Sequence, residues 1–190
     1  MNIVEKIFKH IKLVLKHKWV VLKLACKVGI PWRGFMHDWS KFSPEEFLES
    51  VKYYNGKKSP IIVCKQKNGY SKAWLHHKGR NKHHPEYWVD WALPQKAIIM
   101  PYKYAVEMVC DKMAAGIVYN GKDWKQDTQI KYYMKERETS IVHPQIDKFL
   151  LEIFTQVSEQ GIDKTLTKKN VREVYDKYCV RMEKLDENKV

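Results

Sequence analysis

Apolar residues recur along most of this chain at helical spacing, with polar positions between them. Residues 3–28 suit one long helix or two in series, interrupted by lysines at 6, 9, 12, 16, 18, 23 and 27 and ended by Gly29 and the Ile30-Pro31 step. A short apolar segment around 33–41 follows. Ser43-Pro44-Glu45-Glu46 reads as a capping box with proline at the first helical position, opening a helix that runs to Tyr54. Residues 56–70 look loop-like, and Ile61-Ile62-Val63-Cys64 suits a short strand that would have nothing to pair with. Residues 71–79 predict a short helix, and Pro85 suits the start of another over PEYWVDWAL. Further helices are expected over 102–118, 128–138, His143-Pro144 to Gln160, and about 167–186. The expected fold is all-α. It comprises a main helical domain over 1–160 and a C-terminal accessory helix over 161–190, packed on the same domain.

Composition supports a folded chain: 44% of the residues are hydrophobic and 13% aromatic, enough for a sizeable core. The first helix excludes a membrane span. Its longest stretch without a charge or histidine is four or five residues, against the about 18–20 that a bilayer needs. A core helix with solvated lysines is the simpler reading, and an amphipathic helix lying on a membrane surface is the alternative. The net charge of +13 is uneven. Residues 1–100 carry 19 Lys and Arg against 7 Asp and Glu, whereas residues 101–190 carry 16 against 15. The basic half also holds seven of the eight histidines. Such a field attracts phosphate, whether on a small substrate, a nucleotide or a nucleic acid. Cys26, Cys64, Cys110 and Cys179 form no CxxC pair, which suits a cytoplasmic protein, and Cys26 and Cys110 sit in apolar runs that predict buried thiols.

The candidate chemistry lies in the histidines and in aspartates among apolar neighbours. HHKGRNKHHPEYW, residues 76–88, holds two histidine pairs, His76/His77 and His83/His84, with Lys78, Arg80 and Lys82 between them. These three cations suit phosphate contact from an exposed turn, or a solvated basic loop. His37-Asp38 is followed by Lys41, and an aspartate has two oxygens with which to bridge two cations. Lys41 can hold a phosphate oxygen beside them. Asp111 lies in VEMVCDKMAA, where a buried carboxylate is costly unless paired or bound to metal. With His17 upstream, the order is His17, His37-Asp38, the two pairs, then Asp111. Imidazole with carboxylate suits one or two divalent transition metals among Mn, Fe, Zn, Ni and Co. Tyr87, Trp88 and Trp91 fit half-buried packing, and Trp39 suits either pocket or core. His143 before Pro144 suits a helix start, and His10 lies two turns before His17 on the same face, outside the site.

The order H…HD…H…D, with HKWVVLKLACKVGIPWRGFMHDWSK and VEMVCDKMAA around it, resembles the HD-domain superfamily of metal-dependent phosphohydrolases over about residues 17–118. IPWRGFMHDWSKFSPEEF, AWLHHKGRNKHHPEYW and MPYKYAVEMVCDKMAAG are also similar to a bacterial and phage domain family of unknown function. The superfamily resemblance implies a helical bundle in which His17, His37, Asp38 and Asp111 bind a first metal. Asp38 would bridge to a second, and Lys41 matches the lysine after HD. Members with more than one metal place a single histidine after HD and a His-His pair before the last aspartate. Here either pair can supply the second-site ligands, with His83/His84 at the more usual distance from Asp111. The GYP signature of cyclic-dinucleotide hydrolases is absent. The resemblance implies metal-activated water attacking a phosphate ester or nucleotide, with Asp38 and Lys41 as catalytic residues. Two alternatives share the residues: a basic nucleic-acid-binding protein with a structural or silent metal site, and an HD-type di-iron oxygenase.

Overall fold

In the computed structural model, which describes residues 1–186 and the side chains of 1–179, the chain is all-α. The first helix, α1 (Ile3–Lys27), starts where the Asn2 side chain accepts from the Glu5 N–H at 2.8 Å. It ends where Gly29, at φ 81°, takes the left-handed conformation that costs glycine least. The chain then doubles back into α2 (Pro31–Met36), and Gly34 permits the close packing of α2 on α1. A Cβ at Gly34 would lie 2.4 Å from Ala25 Cβ and 3.1 Å from the Leu22 Cα. This approach brings the His37 end of α2 over His17.

A 3-10 turn over Trp39–Phe42 leads into α3 (Pro44–Tyr53), then α4 (Pro60–Asn68) and α5 (Lys72–Arg80). Four expectations fail here. The capping box does not form: the Ser43 side chain makes no cap hydrogen bond, and the Glu46 side chain turns inward to two histidines instead of back to the Ser43 N–H. Residues 60–68 are helix rather than loop or strand. Pro60 opens that helix and Gly69, at φ 80°, closes it, and these end signals outweigh the β-branched Ile61-Ile62-Val63. PEYWVDWAL forms only a 3-10 turn at Pro85–Trp88. Asp90 then folds the chain back, its side chain accepting from the Ala92 N–H at 2.9 Å, and an isolated antiparallel bridge joins Val89 to Ala97. Trp91 is exposed rather than half-buried, because it sits on that turn.

The core lies on the other side of α6 (Tyr102–Asn120). Beyond α7 (Thr128–Glu136), α8 (Pro144–Gln160) presents Ile146, Phe149, Leu150, Ile153, Phe154 and Val157, all fully buried at i, i+3, i+4 spacing. Burying each such side chain contributes about 1.5–3 kcal/mol. His143 caps α8, accepting from the Gln145 N–H. After the short α9 (Ile162–Thr165), α10 (Lys168–Asp186) closes the same core with Val171, Val174, Tyr175 and Cys179, and the Tyr175 hydroxyl donates to Met100 O at 2.8 Å. The accessory segment expected over 161–190 thus shares this core, and its residues 187–190 lie outside the described ones. Cys64, Cys110 and Cys179 are buried but Cys26 is exposed, since it falls on the outer face of α1. Among the described residues no helix is long and apolar enough to cross a membrane.

Candidate metal centre

Five segments converge on one buried cluster of imidazoles and carboxylates. α1 supplies His17, the turn after α2 supplies His37 and Asp38, α5 supplies His77, the loop after it His83 and His84, and α6 Asp111. Asp38 sits in the left-handed region at φ 54°, a strained conformation that aspartate tolerates better than most residues. The turn is held by the Lys18 ammonium, which donates to the carbonyls of His37 and Phe35.

Two ligand groups share Asp38. The first is His17, His37, Asp38 and Asp111. His37 Nε2 lies 3.3 Å from His17 Nε2, 3.2 Å from Asp38 Oδ2 and 3.4 Å from Asp111 Oδ1, and His17 Nε2 lies 3.0 Å from Asp111 Oδ1. Donors about 2.1 Å from one cation lie about 3.0 Å apart in cis-octahedral and about 3.4 Å apart in tetrahedral geometry. The second group is Asp38, His77, His83 and His84. Here Asp38 Oδ1 is 3.4 Å from both His77 Nε2 and His83 Nε2. Each Asp38 oxygen therefore faces a different set of ring nitrogens.

The proton positions sharpen this. The Glu107 carboxylate can only accept, so the Nδ1–H groups of His37 (3.2 Å) and His83 (3.3 Å) donate to its Oε1. Glu46 accepts from His77 Nδ1 at 2.6 Å and His76 Nδ1 at 2.7 Å. These bonds fix a proton on Nδ1, so in the neutral rings the Nε2 lone pairs of His37, His77 and His83 point at carboxylate oxygens. Without a cation, burial opposes a charge on His37, but Asp38, Asp111 and Glu107 raise its pKa well above the ordinary imidazole value, so that a proton takes the place between them. Buried lone pairs facing one another cost free energy unless a cation or proton lies between them. His83 Nε2, His84 Nε2 and both Asp38 oxygens lack a hydrogen bond of normal geometry. Lys41 Nζ stands 2.6 Å from Asp38 Oδ2 as an ion pair. This donor set fits divalent metal.

The electrostatics agree. Burial, with His83 and His77 alongside, holds His84 well below the ordinary imidazole range, so it is neutral and able to ligate. Burial would raise the Glu107 carboxyl, but hydrogen bonds from His37 and His83 overcome it and hold it at about 2. Burial opposes a charge on Lys41 too, yet the Asp38 and Asp111 carboxylates raise its pKa above the ordinary value and keep it protonated. Solvent reaches the Asp111 (17%) and Lys41 (27%) side chains, while those of His37, Asp38, His77 and His83 are at most 2% exposed. The cluster is therefore open to solvent at Asp111 and Lys41 and, in part, at His84.

Of the residues singled out from the sequence, His17, His37, Asp38, His77, His83, His84 and Asp111 fall in the two groups, and Lys41 beside them. His76 does not. One helical position from His77, it points away from Asp38 and meets only the far oxygen of Glu46. Lys78 and Arg80 lie on or near the surface, and Lys82 Nζ lies over the Tyr87 ring at 5.3 Å and the Tyr104 ring at 5.9 Å. Trp39 is 47% exposed and so lies outside the core. Glu46 and Glu107 escaped the sequence reading. Glu46 was absorbed by the capping-box pattern. Glu107 carried a usable signal, a second acid one turn before Asp111 in the same apolar run. His37, His83 and Glu107 also have ligand spacing, but Arg33 pairs with Glu107 and both histidines already donate to it, so this set supports the ligands.

Fold and site together define an all-α protein with a buried His/Asp cluster able to hold divalent metal. The chain belongs to DUF5662, a family of unknown function whose model matches residues 6–156. Comparison with curated proteins and with solved structures found no match.

Proposed function

We propose that this protein is a metal-dependent phosphohydrolase of the HD-domain type, acting on a phosphate ester or nucleotide. The observation that carries this reading is Asp38, one carboxylate whose two oxygens face two separate sets of histidine nitrogens. His17, His37, Asp38 and Asp111 would hold one cation, and Asp38, His77, His83 and His84 the other. The order supports it as well: His77 takes the place of the single histidine after HD, and His83/His84 that of the pair before the last aspartate. The mixed nitrogen and oxygen donors favour Mn, Fe, Co, Ni or Zn.

When bound there, two divalent cations lower the pKa of water towards neutrality and neutralise phosphoryl charge. The remaining work falls to the chain itself. Lys41, held protonated at the open side of the cluster, is placed to pair with a phosphate oxygen. Lys78 and Arg80 are suited to contact the rest of a phosphorylated substrate from α5. Glu107 and Glu46 keep the proton on Nδ1 of His37, His83 and His77, so that Nε2 stays a lone-pair donor.

The test is metal analysis of the purified protein, followed by phosphomonoester, phosphodiester and nucleotide substrates with Mn, Co, Ni, Fe and Zn. Bound metal that falls in Asp38→Ala and Asp111→Ala, together with metal-dependent phosphate release, supports the reading. Protein that binds none of these metals, with both variants unchanged in stability, sinks it.

A further inference from the structure

The outer face of α1 has no role in the core or the metal cluster. Val4, Phe8, Ile11, Leu15, Trp19 and Leu22 follow one another at spacings of four and three. At about 100° per residue they lie within an arc of about 80° and run about 27 Å along the helix. Phe8 is 69% exposed, and Val4, Leu15 and Trp19 are each more than half exposed. The helix's buried residues, His10, Val14, His17, Val21 and Leu24, occupy another side. α1 therefore carries two apolar stripes; the second is left largely open, with Ile11 and Leu22 half-buried and Leu22 packed against α2.

α2 widens the uncovered stripe. It packs against Leu22 and Ala25 through Gly34 and leaves Trp32 70%, Phe35 48% and Met36 46% exposed, with the Trp32 and Phe35 rings stacked at 5.6 Å. A contiguous apolar surface of this size is rare on a protein that works alone in water. Its border is basic. Lys12, Lys16 and Lys23 are exposed along one edge of the stripe, with Lys23 Nζ 5.1 Å from the Trp19 ring centroid. The single acid of α1, Glu5, is paired with Lys9.

We propose that this face docks on a bilayer rich in anionic lipid, with α1 lying in the plane of the interface. Trp and Phe beside aliphatic residues suit the boundary between headgroups and acyl chains, and the lysine border suits negative headgroups. A second copy of the chain fits less well, since a symmetric pairing would bring two lysine borders together. Single-stranded nucleic acid would stack on the aromatic rings but gain nothing from Val4, Ile11, Leu15 and Leu22. The stripe lies on the far side of α1 from His17, so docking is independent of the metal reading.

Cys26 supplies the probe: it is the exposed cysteine, it extends the same stripe, and Cys64, Cys110 and Cys179 are buried. The full-length chain, labelled at Cys26 with an environment-sensitive fluorophore, is mixed with vesicles of phosphatidylcholine alone or of equimolar phosphatidylcholine and phosphatidylglycerol. The expected result is a blue shift and co-sedimentation with the anionic vesicles, at least about tenfold weaker with the neutral ones. Phe8→Glu with Leu15→Glu abolishes both signals while metal content and helicity stay unchanged, and Lys12→Glu with Lys16→Glu weakens them about tenfold or more. No shift with either vesicle overturns the proposal, as does a Phe8/Leu15 variant that binds vesicles like the parent. So does a dimer that this variant dissociates, or binding to an oligothymidylate in place of the vesicles.

Discussion

The two sides of α6 are built on opposite principles. Towards α8 and α10 it meets Ile146, Phe149, Leu150, Ile153, Phe154 and Tyr175, side chains held by packing alone or with one hydroxyl satisfied. Towards α1, α5 and the 83–84 loop it presents Glu107 and Asp111 to His17, His37 and His83, and Asp38 stands among the same rings. The first side gains free energy on burial whatever the solvent holds. The second loses it unless charge is supplied, since carboxylates and ring nitrogens have been taken out of water together. Packing in this chain is therefore concentrated on one side and metal-capable groups on the other, with α6 as the shared wall.

That contrast can be broken experimentally. The largest effect expected is from Asp38→Ala, which removes the carboxylate common to both groups. Bound metal should fall to one equivalent or less, and metal-dependent phosphate release should drop by roughly a thousandfold or more. Phe154→Ala acts on the other side. It should cost about 3–5 kcal/mol in denaturant unfolding, and the loss should be the same with and without chelator. Chelator should instead lower the wild-type Tm, and lower that of Asp38→Ala by less.

His10 separates the two regions by pH. Only 5% exposed, with no hydrogen-bond partner on either ring nitrogen, it packs against the Phe47 and Tyr54 rings. Burial, with Lys41 adding to it, pushes its pKa down from 6.5 to about 4. The folded state thus prefers the neutral ring. The stability linked to this preference is complete above pH about 6.5, falls as the pH drops, and is gone below about 4, at most about 3 kcal/mol. His10→Leu should flatten that part of the stability profile without changing metal content.

A smaller effect is expected from Glu107→Gln, which keeps the shape but weakens the hold on two Nδ1–H groups: about 10- to 100-fold in metal affinity or activity. The smallest is His76→Ala, less than about threefold in either. His77→Ala should behave like loss of a ligand, and equal effects from the two adjacent histidines would refute the division of this pair.

Much of this was legible along the chain. The ends of α1, α3, α6 and α8 are marked by Gly29, Pro44, Pro101 and the His143-Pro144 step, since proline and glycine act locally on the backbone. His17, His37-Asp38 and Asp111 stood out because charged or ligating residues in apolar runs need a reason. Three β-branched residues in a row make α4 imitate a strand, and the exposure of Cys26 is hidden in the sequence because α1 is apolar on two sides. Glu46 shows the deeper limit, since a residue that fits a local motif can be taken up by a distant partner.

The sequence by itself determined the helical class, the set of metal-capable residues and the asymmetry of charge, because periodicity, residue chemistry and composition are properties of the chain alone. Only the tertiary structure decided that Asp38 faces two sets of nitrogens, that His77 joins His83 and His84 while His76 does not, and that Glu46 and Glu107 orient the rings. Those facts depend on which helix faces turn towards each other across separations from 20 residues, His17 to His37, to 94, His17 to Asp111. Such contacts follow from packing, above all from the close approach of α1 and α2 at Gly34.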